Sequence, residues 1–395
     1  MKNERPLLLT LAVVQFNHIV DFMLMMPLGP QLMRALQIDP RQFSLLVSAY
    51  TISAGIFGFA GAFFLDRFER KRALQIVFIA FVLGTFICGL AGNYYLLMAA
   101  RIFTGAFGGL LSSLILSIVG DAIPLERRSS AMGIIMTAFA MASIAGVPAG
   151  MFLANQFGWN MPFIILAAFS VFAHLAIMRF VPVMDIHLQG QPTKPDLMEP
   201  FRMVAQHPDQ QRALWLQFFM MMGHFSLIPF LSPYMVSNVG FSEQELPLIY
   251  LFGGLVSMLS LPLIGKIADK HGRYRVMIFG ILLSAIPQLF ITHMPPVPVW
   301  VALCVTTFFF ITTGGRNIPA STIISSTAAP HQRGKFMSLN VAVQQLSSGL
   351  AAFMAGQIVS KSSGGELLHY PIVGYLAIGF SLAGLYIART IRSQY

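Results

Sequence analysis

Gly265-Lys266-Ile267-Ala268-Asp269-Lys270-His271-Gly272-Arg273 is a short charged passage between two long apolar stretches. Its acidic-basic order recurs in the first half of the chain as Ala62-Phe63-Phe64-Leu65-Asp66-Arg67-Phe68-Glu69-Arg70-Lys71. A second pair of passages also matches: Asp121-Ala122-Ile123-Pro124-Leu125-Glu126-Arg127-Arg128 and Ala329-Pro330-His331-Gln332-Arg333-Gly334-Lys335. Like loops at corresponding places in both halves mark an internal repeat, the pattern of membrane proteins that move solutes at a repeat interface.

Between these loops the chain is apolar. Of 395 residues, 56% are hydrophobic and 10% charged, against roughly 25% charged in a soluble domain. Apolar runs at 7–32, 43–65, 73–92, 94–120, 129–156 and 161–182, and then at 212–238, 244–267, 274–294, 297–325, 334–360 and 371–391, are each about long enough to cross a bilayer core. The expectation is an all-α membrane protein of twelve transmembrane helices in two six-helix bundles. The first run holds Asp21 and lacks a small-residue cleavage site, so it reads as a span and not a removed signal. The net charge of +10 sits in short clusters between spans, which argues for topology and against nucleic acid. Cys88 and Cys304 lie in separate apolar runs, so no disulfide or zinc framework is expected.

Basic residues orient the spans. Arg67, Arg70, Lys71 and Arg72, then Arg127 and Arg128, Lys266, Lys270, Arg273 and Arg275, and Arg333 and Lys335 fall in alternate loops, which the positive-inside rule assigns to the cytoplasm. Arg34 and Arg41 in the first outer loop are exceptions. Both termini are then cytoplasmic, in a multi-pass protein of the plasma (inner) membrane. Residues 183–211, rich in Pro and polar groups, read as a cytoplasmic linker between bundles at 1–182 and 212–395. Within it, Leu197–Val204 is a candidate surface helix or part of a flexible tether.

These features resemble the major facilitator superfamily, within it the twelve-span drug:proton antiporter branch, which also holds sugar and metabolite exporters. The resemblance rests on the loop Gly265–Arg273, on Arg101-Ile102-Phe103-Thr104-Gly105-Ala106-Phe107-Gly108-Gly109, and on Gly146-Val147-Pro148-Ala149-Gly150. The first copy of the loop departs from the pattern, with Ala62 and Glu69 at the glycine positions. The resemblance implies a cytoplasmic gate of Asp66, Arg67, Arg70, Asp269, Lys270, Arg273, Asp121 and Arg127; an ordinary solvated loop is the alternative. Gly146, Pro148 and Gly150 resemble a motif associated with antiport. Glycines there permit close helix approach and Pro148 removes a backbone donor.

Ionisable residues inside a span are functional candidates. Asp21 lies 14 residues after Leu7, roughly 21 Å from the cytoplasmic end. Arg101 lies 7 residues after Tyr94, roughly 10 Å from the outer end, so the two are level in a core about 30 Å thick. An Asp21–Arg101 pair that handles a proton, charged when together and neutral when apart, stands beside a permanent structural pair. His18, one turn before Asp21, is a proton-handling or packing residue. Arg316 in Gly314-Gly315-Arg316-Asn317-Ile318-Pro319 stands beside helix-weakening residues, suited to an anionic group. His224, Asn340, Gln344 and Asn17 complete the candidate substrate contacts, with polar helix–helix contact as the alternative reading.

Twenty-four methionines favour adaptable packing over a soft-metal carrier, so no metal site or cofactor is expected. No phosphate-binding loop is present to use ATP. The expected function is secondary active transport, not catalysis: proton-coupled efflux of a small organic or amphipathic solute by alternating access, acting as a monomer in the lipid bilayer on that solute and protons. Proton-coupled uptake and lipid or lysolipid translocation are alternatives within the same fold. A metal or metal-chelate exporter, a membrane-embedded enzyme and a channel are the remaining rivals.

Overall fold

The computed structural model describes residues 4–124, 127–185, 198–329 and 332–391, and within them all side chains other than those of residues 62–64, 66 and 129. In chain order the helices are α1 (Glu4–Leu24), α2 (Gly29–Ala35), α3 (Pro40–Phe64), α4 (Arg70–Leu90), α5 (Tyr94–Ala122), α6 (Arg128–Met141), α7 (Val147–Phe157) and α8 (Met161–Phe180). They continue as α9 (Glu199–Gln206), α10 (Pro208–Phe225), α11 (Ile228–Tyr234), α12 (Leu246–His271), α13 (Arg273–Thr292), α14 (Val299–Ser326), α15 (Arg333–Ile358) and α16 (Tyr370–Arg389). π-helical turns at Ala142–Gly146 and Met235–Val239 join α6 to α7 and extend α11. A small hairpin pairs Ser360 with Leu368 and Lys361 with Leu367, held by Asn238, whose side chain bonds both the N–H and the carbonyl of Leu367.

Among the described residues, eleven stretches are long and apolar enough to cross a membrane. The twelfth expected span, 334–360, is the 26-residue helix α15. Its Ser338, Asn340, Gln344, Gln345, Ser347 and Ser348 make it the most polar of the twelve. Elsewhere bulky apolar side chains face outward: Leu259 is 72% and Phe279 66% exposed. In water such surfaces would aggregate, and in lipid they are matched.

By contacts the chain forms two compact units. Unit 1 comprises Met1–Met25 and Ala49–Leu197, and unit 2 comprises Met26–Ser48 and Met198–Tyr395. The mid-chain break falls inside the expected linker, whose residues 186–197 lie outside the described stretches. Within that linker lie α9, displaced by two residues from the expected 197–204 helix, and the start of α10; Lys335 donates to Glu199 of α9 at 2.5 Å.

In unit 1, α4 packs against α5 and α8, and α1 against α6 and α8, around Leu11, Val14, Phe78, Phe81, Leu111 and Ile177. In unit 2, α14 packs against α12 and α13, while α10 meets α15 and α16.

The two copies of the charged loop turn differently. Gly272 joins α12 to α13 with φ +94°, a conformation that favours glycine. Glu69, at the matching position, has φ −57°, after a 3₁₀ turn at Leu65–Arg67. Its carboxylate caps α4, accepting the N–H groups of Lys71 at 2.7 Å and Arg72 at 2.8 Å, and that of Met184 at 2.9 Å.

Partial burial raises the Glu69 pKa, but these backbone donors and the Lys71 charge lower it further, leaving it below the usual carboxylate value. A depressed folded value means the cap stabilises fully above the unfolded pKa, about 4.3, and loses that contribution as pH falls through the lower folded value. Glu69→Gln should therefore cost about 1 kcal/mol near neutrality, with the difference from wild type closing at acid pH. Thermal unfolding of both proteins from pH 3 to 7 checks this.

Met26–Ser48, which holds Arg34 and Arg41, belongs to unit 2. Within unit 2 the Arg34 guanidinium pairs with the Glu243 carboxylate, and Gly29 lies against Phe43 and Pro233. The pair is partly exposed, so Arg34→Glu should cost less than about 1 kcal/mol, and the exchange Arg34→Glu with Glu243→Arg should restore wild-type melting in a thermal unfolding assay.

Candidate transport site

Asp21 on α1, Thr85 on α4 and Arg101 on α5 meet inside unit 1. Arg101 Nη1 donates to Asp21 Oδ2 at 2.9 Å, and Thr85 Oγ1 donates to Asp21 Oδ1 at 2.9 Å. The guanidinium also lies 4.2 Å from the centre of the Tyr50 ring on α3, a cation–π contact. Asp21 and Arg101 are both 0% exposed. Burying two charges is costly, and removing either partner leaves the other uncompensated. Any proton exchange at Asp21 therefore requires movement of the surrounding helices.

The glycines after Arg101 make this meeting possible. A Cβ at Gly105 would stand 2.4 Å from the Tyr50 carbonyl oxygen, and one at Gly109 would stand 2.2 Å from that of Ala54. With side chains there, α3 could not lie against α5, and Tyr50 could not reach the guanidinium. Gly146 and Gly150 do the same for α1, where a Cβ would strike Val20 and Leu24. Pro148 follows the π turn and occupies the first turn of α7, where a missing donor is tolerated. The irregularity in this span is the π turn, with proline starting the next segment.

His18 is buried beside the pair. It stacks on Tyr50 at 6.3 Å and meets Phe81 edge-on at 5.8 Å, and neither ring nitrogen has a hydrogen-bond partner among the described residues. Asn17 is a helix–helix contact: it donates to the Val13 carbonyl and accepts from Ser170 on α8 at 3.0 Å.

In unit 2, Arg316 on α14 is also fully buried. Its Nη1 donates to Ser284 on α13 at 3.0 Å and to Ser381 on α16 at 2.7 Å. His224 on α10 stacks on Phe309 at 6.0 Å. Asn340 is buried with its carbonyl oxygen unpartnered, and Gln344 is half-buried.

The charged loops are likewise unequal. Arg70 is buried and bonds Asp121 at 2.8 Å, and Arg127 makes two bonds to Glu4 at 2.8 and 3.0 Å. Asp269 is exposed and lies 3.8 Å from Arg273 one turn on, and among the described residues it accepts no backbone N–H. Arg67 and Lys270 are exposed. The side chain of Asp66 lies outside the described residues.

Thr85, Tyr50, Ser284 and Ser381 were not singled out from sequence. Hydroxyls in apolar helices are common, and only the rotation of each helix shows which ones face an arginine.

The sequence profile of the Major Facilitator Superfamily matches residues 11–212 and again 213–393. The chain belongs to the Major Facilitator Superfamily. It is 26% identical over 367 residues to multidrug resistance protein 2 of Bacillus subtilis, covering 90% of this chain and 88% of that protein. It is 24% identical over 371 residues to the uncharacterized MFS-type transporter YceJ of the same organism, covering 94% and 92%. Among solved structures, a D-xylose–proton symporter superposes with TM-score 0.80 at 16% identity, covering 99% of this chain and 98% of that one. A bacterial homolog of the human lysosomal transporter Spinster gives TM-score 0.76 at 15% identity, covering 100% and 98%. As a member of the superfamily the chain is a multi-pass membrane transporter of small molecules and not an enzyme.

Proposed function

We propose that this transporter is a secondary active carrier that exports a small organic or amphipathic solute in exchange for protons, by alternating access of its two halves. The observation that carries the reading is the buried Asp21–Arg101 pair with its Thr85 and Tyr50 neighbours. Protonation of Asp21 removes the negative partner and frees Arg101 from α1. The conformation in which α1, α4 and α5 meet is thereby weakened relative to one in which they part. A proton can move a conformational equilibrium only through such a difference between states. His18, with both nitrogens unpartnered beside Tyr50, is the proposed relay for the proton.

The same reading takes the charged loops around Asp66, Arg67, Arg70, Asp121, Arg127, Asp269, Lys270 and Arg273 as the cytoplasmic gate. It sets both termini in the cytoplasm and the protein in the plasma (inner) membrane as a functional monomer. Bundles at 1–182 and 212–395, joined at 183–211, are the moving bodies. Export is favoured by the Gly146–Gly150 passage and by likeness to a multidrug resistance protein.

The test is flux in proteoliposomes with an imposed pH gradient and a panel of dyes, sugars and lysolipids. Solute movement against its own gradient, in the direction opposite to protons, supports the reading. Movement with protons would favour uptake instead, and flux indifferent to pH would make the protein a facilitator.

A further inference from the structure

Arg101 and Arg316 head the fully buried side chains by size, yet their surroundings differ. Arg101 has a carboxylate. Arg316 has two neutral hydroxyls, and both are already committed as donors: Ser284 to the Ile281 carbonyl and Ser381 to the Ala377 carbonyl, each at 2.8 Å. Its Nη1 is saturated by these serines, while Nε and Nη2 have no partner. Among the described residues no carboxylate pairs with it.

A buried guanidinium without a counter-charge is among the costliest groups a protein can hold. Its free edge is also specific. Nε and Nη2 present parallel N–H bonds, the fork that matches two oxygens of a carboxylate or phosphate. Near it on α14, Thr313 is buried with its hydroxyl unpartnered. The neighbouring Thr306 and Thr312 instead donate to the Ala302 and Phe308 carbonyls. Thr313 precedes Arg316 by three residues and so shares its helix face. Gln288, whose amide reaches Ser284 at 3.4 Å, also has its carbonyl oxygen unpartnered. Several hydrogen-bonding groups around one cation are thus left open together, where buried polar atoms are ordinarily satisfied.

We propose that Arg316 anchors an oxyanion site in unit 2, with the Thr313 hydroxyl as its polar neighbour, and that the transported solute carries the carboxylate or phosphate group that fills it. This rests on the transport reading above, because the guanidinium is fully enclosed and the anion enters only as helices separate. The anion supplies what Arg316 lacks: two acceptors and one negative charge.

The experiment uses the full chain in nanodiscs at constant ionic strength. Thermal unfolding is followed while titrating sodium acetate, benzoate, inorganic phosphate, methyl phosphate and chloride, with neutral benzamide as control. The expected result is saturable stabilisation by at least one oxyanion, with chloride and benzamide inert. Arg316→Gln should raise the half-saturating concentration about tenfold or more. Arg316→Lys keeps the charge without the fork, and is the informative variant if the glutamine protein does not fold; it should lose the preference for oxyanion over chloride.

Stabilisation unchanged in the variants, equal stabilisation by chloride, or none by any oxyanion would overturn the site. Counterflow of the stabilising anion, labelled, separates its sources: exchange supports a transported solute, and stabilisation by phosphate without exchange overturns the claim about the solute. Asp21→Asn separates this proposal from the one above. Anion stabilisation that survives there while wild type shows no proton coupling sinks the antiport reading alone.

Discussion

Asp21→Asn is expected to abolish pH-gradient-driven accumulation while leaving downhill exchange of solute. The substitution is nearly isosteric, and the amide oxygen can still accept from Thr85 or Arg101, whose donors lie 2.9 Å from the native carboxylate. What it removes is the charge and the titration. A gradient of about one pH unit can drive about tenfold accumulation per proton exchanged, so the ratio inside reconstituted vesicles should fall from near that value to about one. Retained accumulation would reduce the pair to a structural bridge between α1 and α5. The measurement is a ratio within one preparation, so a modest loss of folded protein does not mimic it.

Arg101→Leu should have the largest effect on stability. It leaves the Asp21 carboxylate 0% exposed with Thr85 as its remaining donor, and breaking a buried pair from one side costs about 3–5 kcal/mol. Asp21→Asn with Arg101→Leu should recover much of that loss, because no lone charge then remains. A double-mutant cycle read by thermal unfolding in detergent gives the coupling directly. Strict additivity of the two single effects would mean that the two charges do not support each other. Together the experiments divide two roles that one ion pair can hold: the cycle measures the bridge, and the vesicle assay measures the proton.

Both effects turn on residues that the sequence alone brought forward, and the reason is linear. Helix rise is constant and a bilayer has a fixed thickness, so the depth of Asp21 and Arg101 follows from counting, and equal depth made their meeting geometrically possible. Span positions, the mid-chain break and the repeated loops follow from hydropathy and composition along the chain. Such quantities need no knowledge of which helices are neighbours. Even Arg316 as a lone cation is visible in that way, since no acidic residue lies in the apolar run around it.

What counting does not contain is rotation about each helix axis and the partner each face meets. Thr85 is 64 residues from Asp21 and Ser381 is 65 from Arg316; their roles exist only because packing turns those hydroxyls toward an arginine. The same holds for Tyr50 over Arg101, which depends on Gly105 and Gly109 letting two helix backbones close. Glu69 replacing a glycine turn by a cap, and Arg34 finding Glu243, are likewise long-range or side-chain solutions to local conflicts. The amino-acid sequence by itself determined the spans and the two halves, because each depends on hydropathy, length and repetition along the chain. Only the tertiary structure decided which charge is neutralised and which is left open, because burial and partnership are properties of several helices at once.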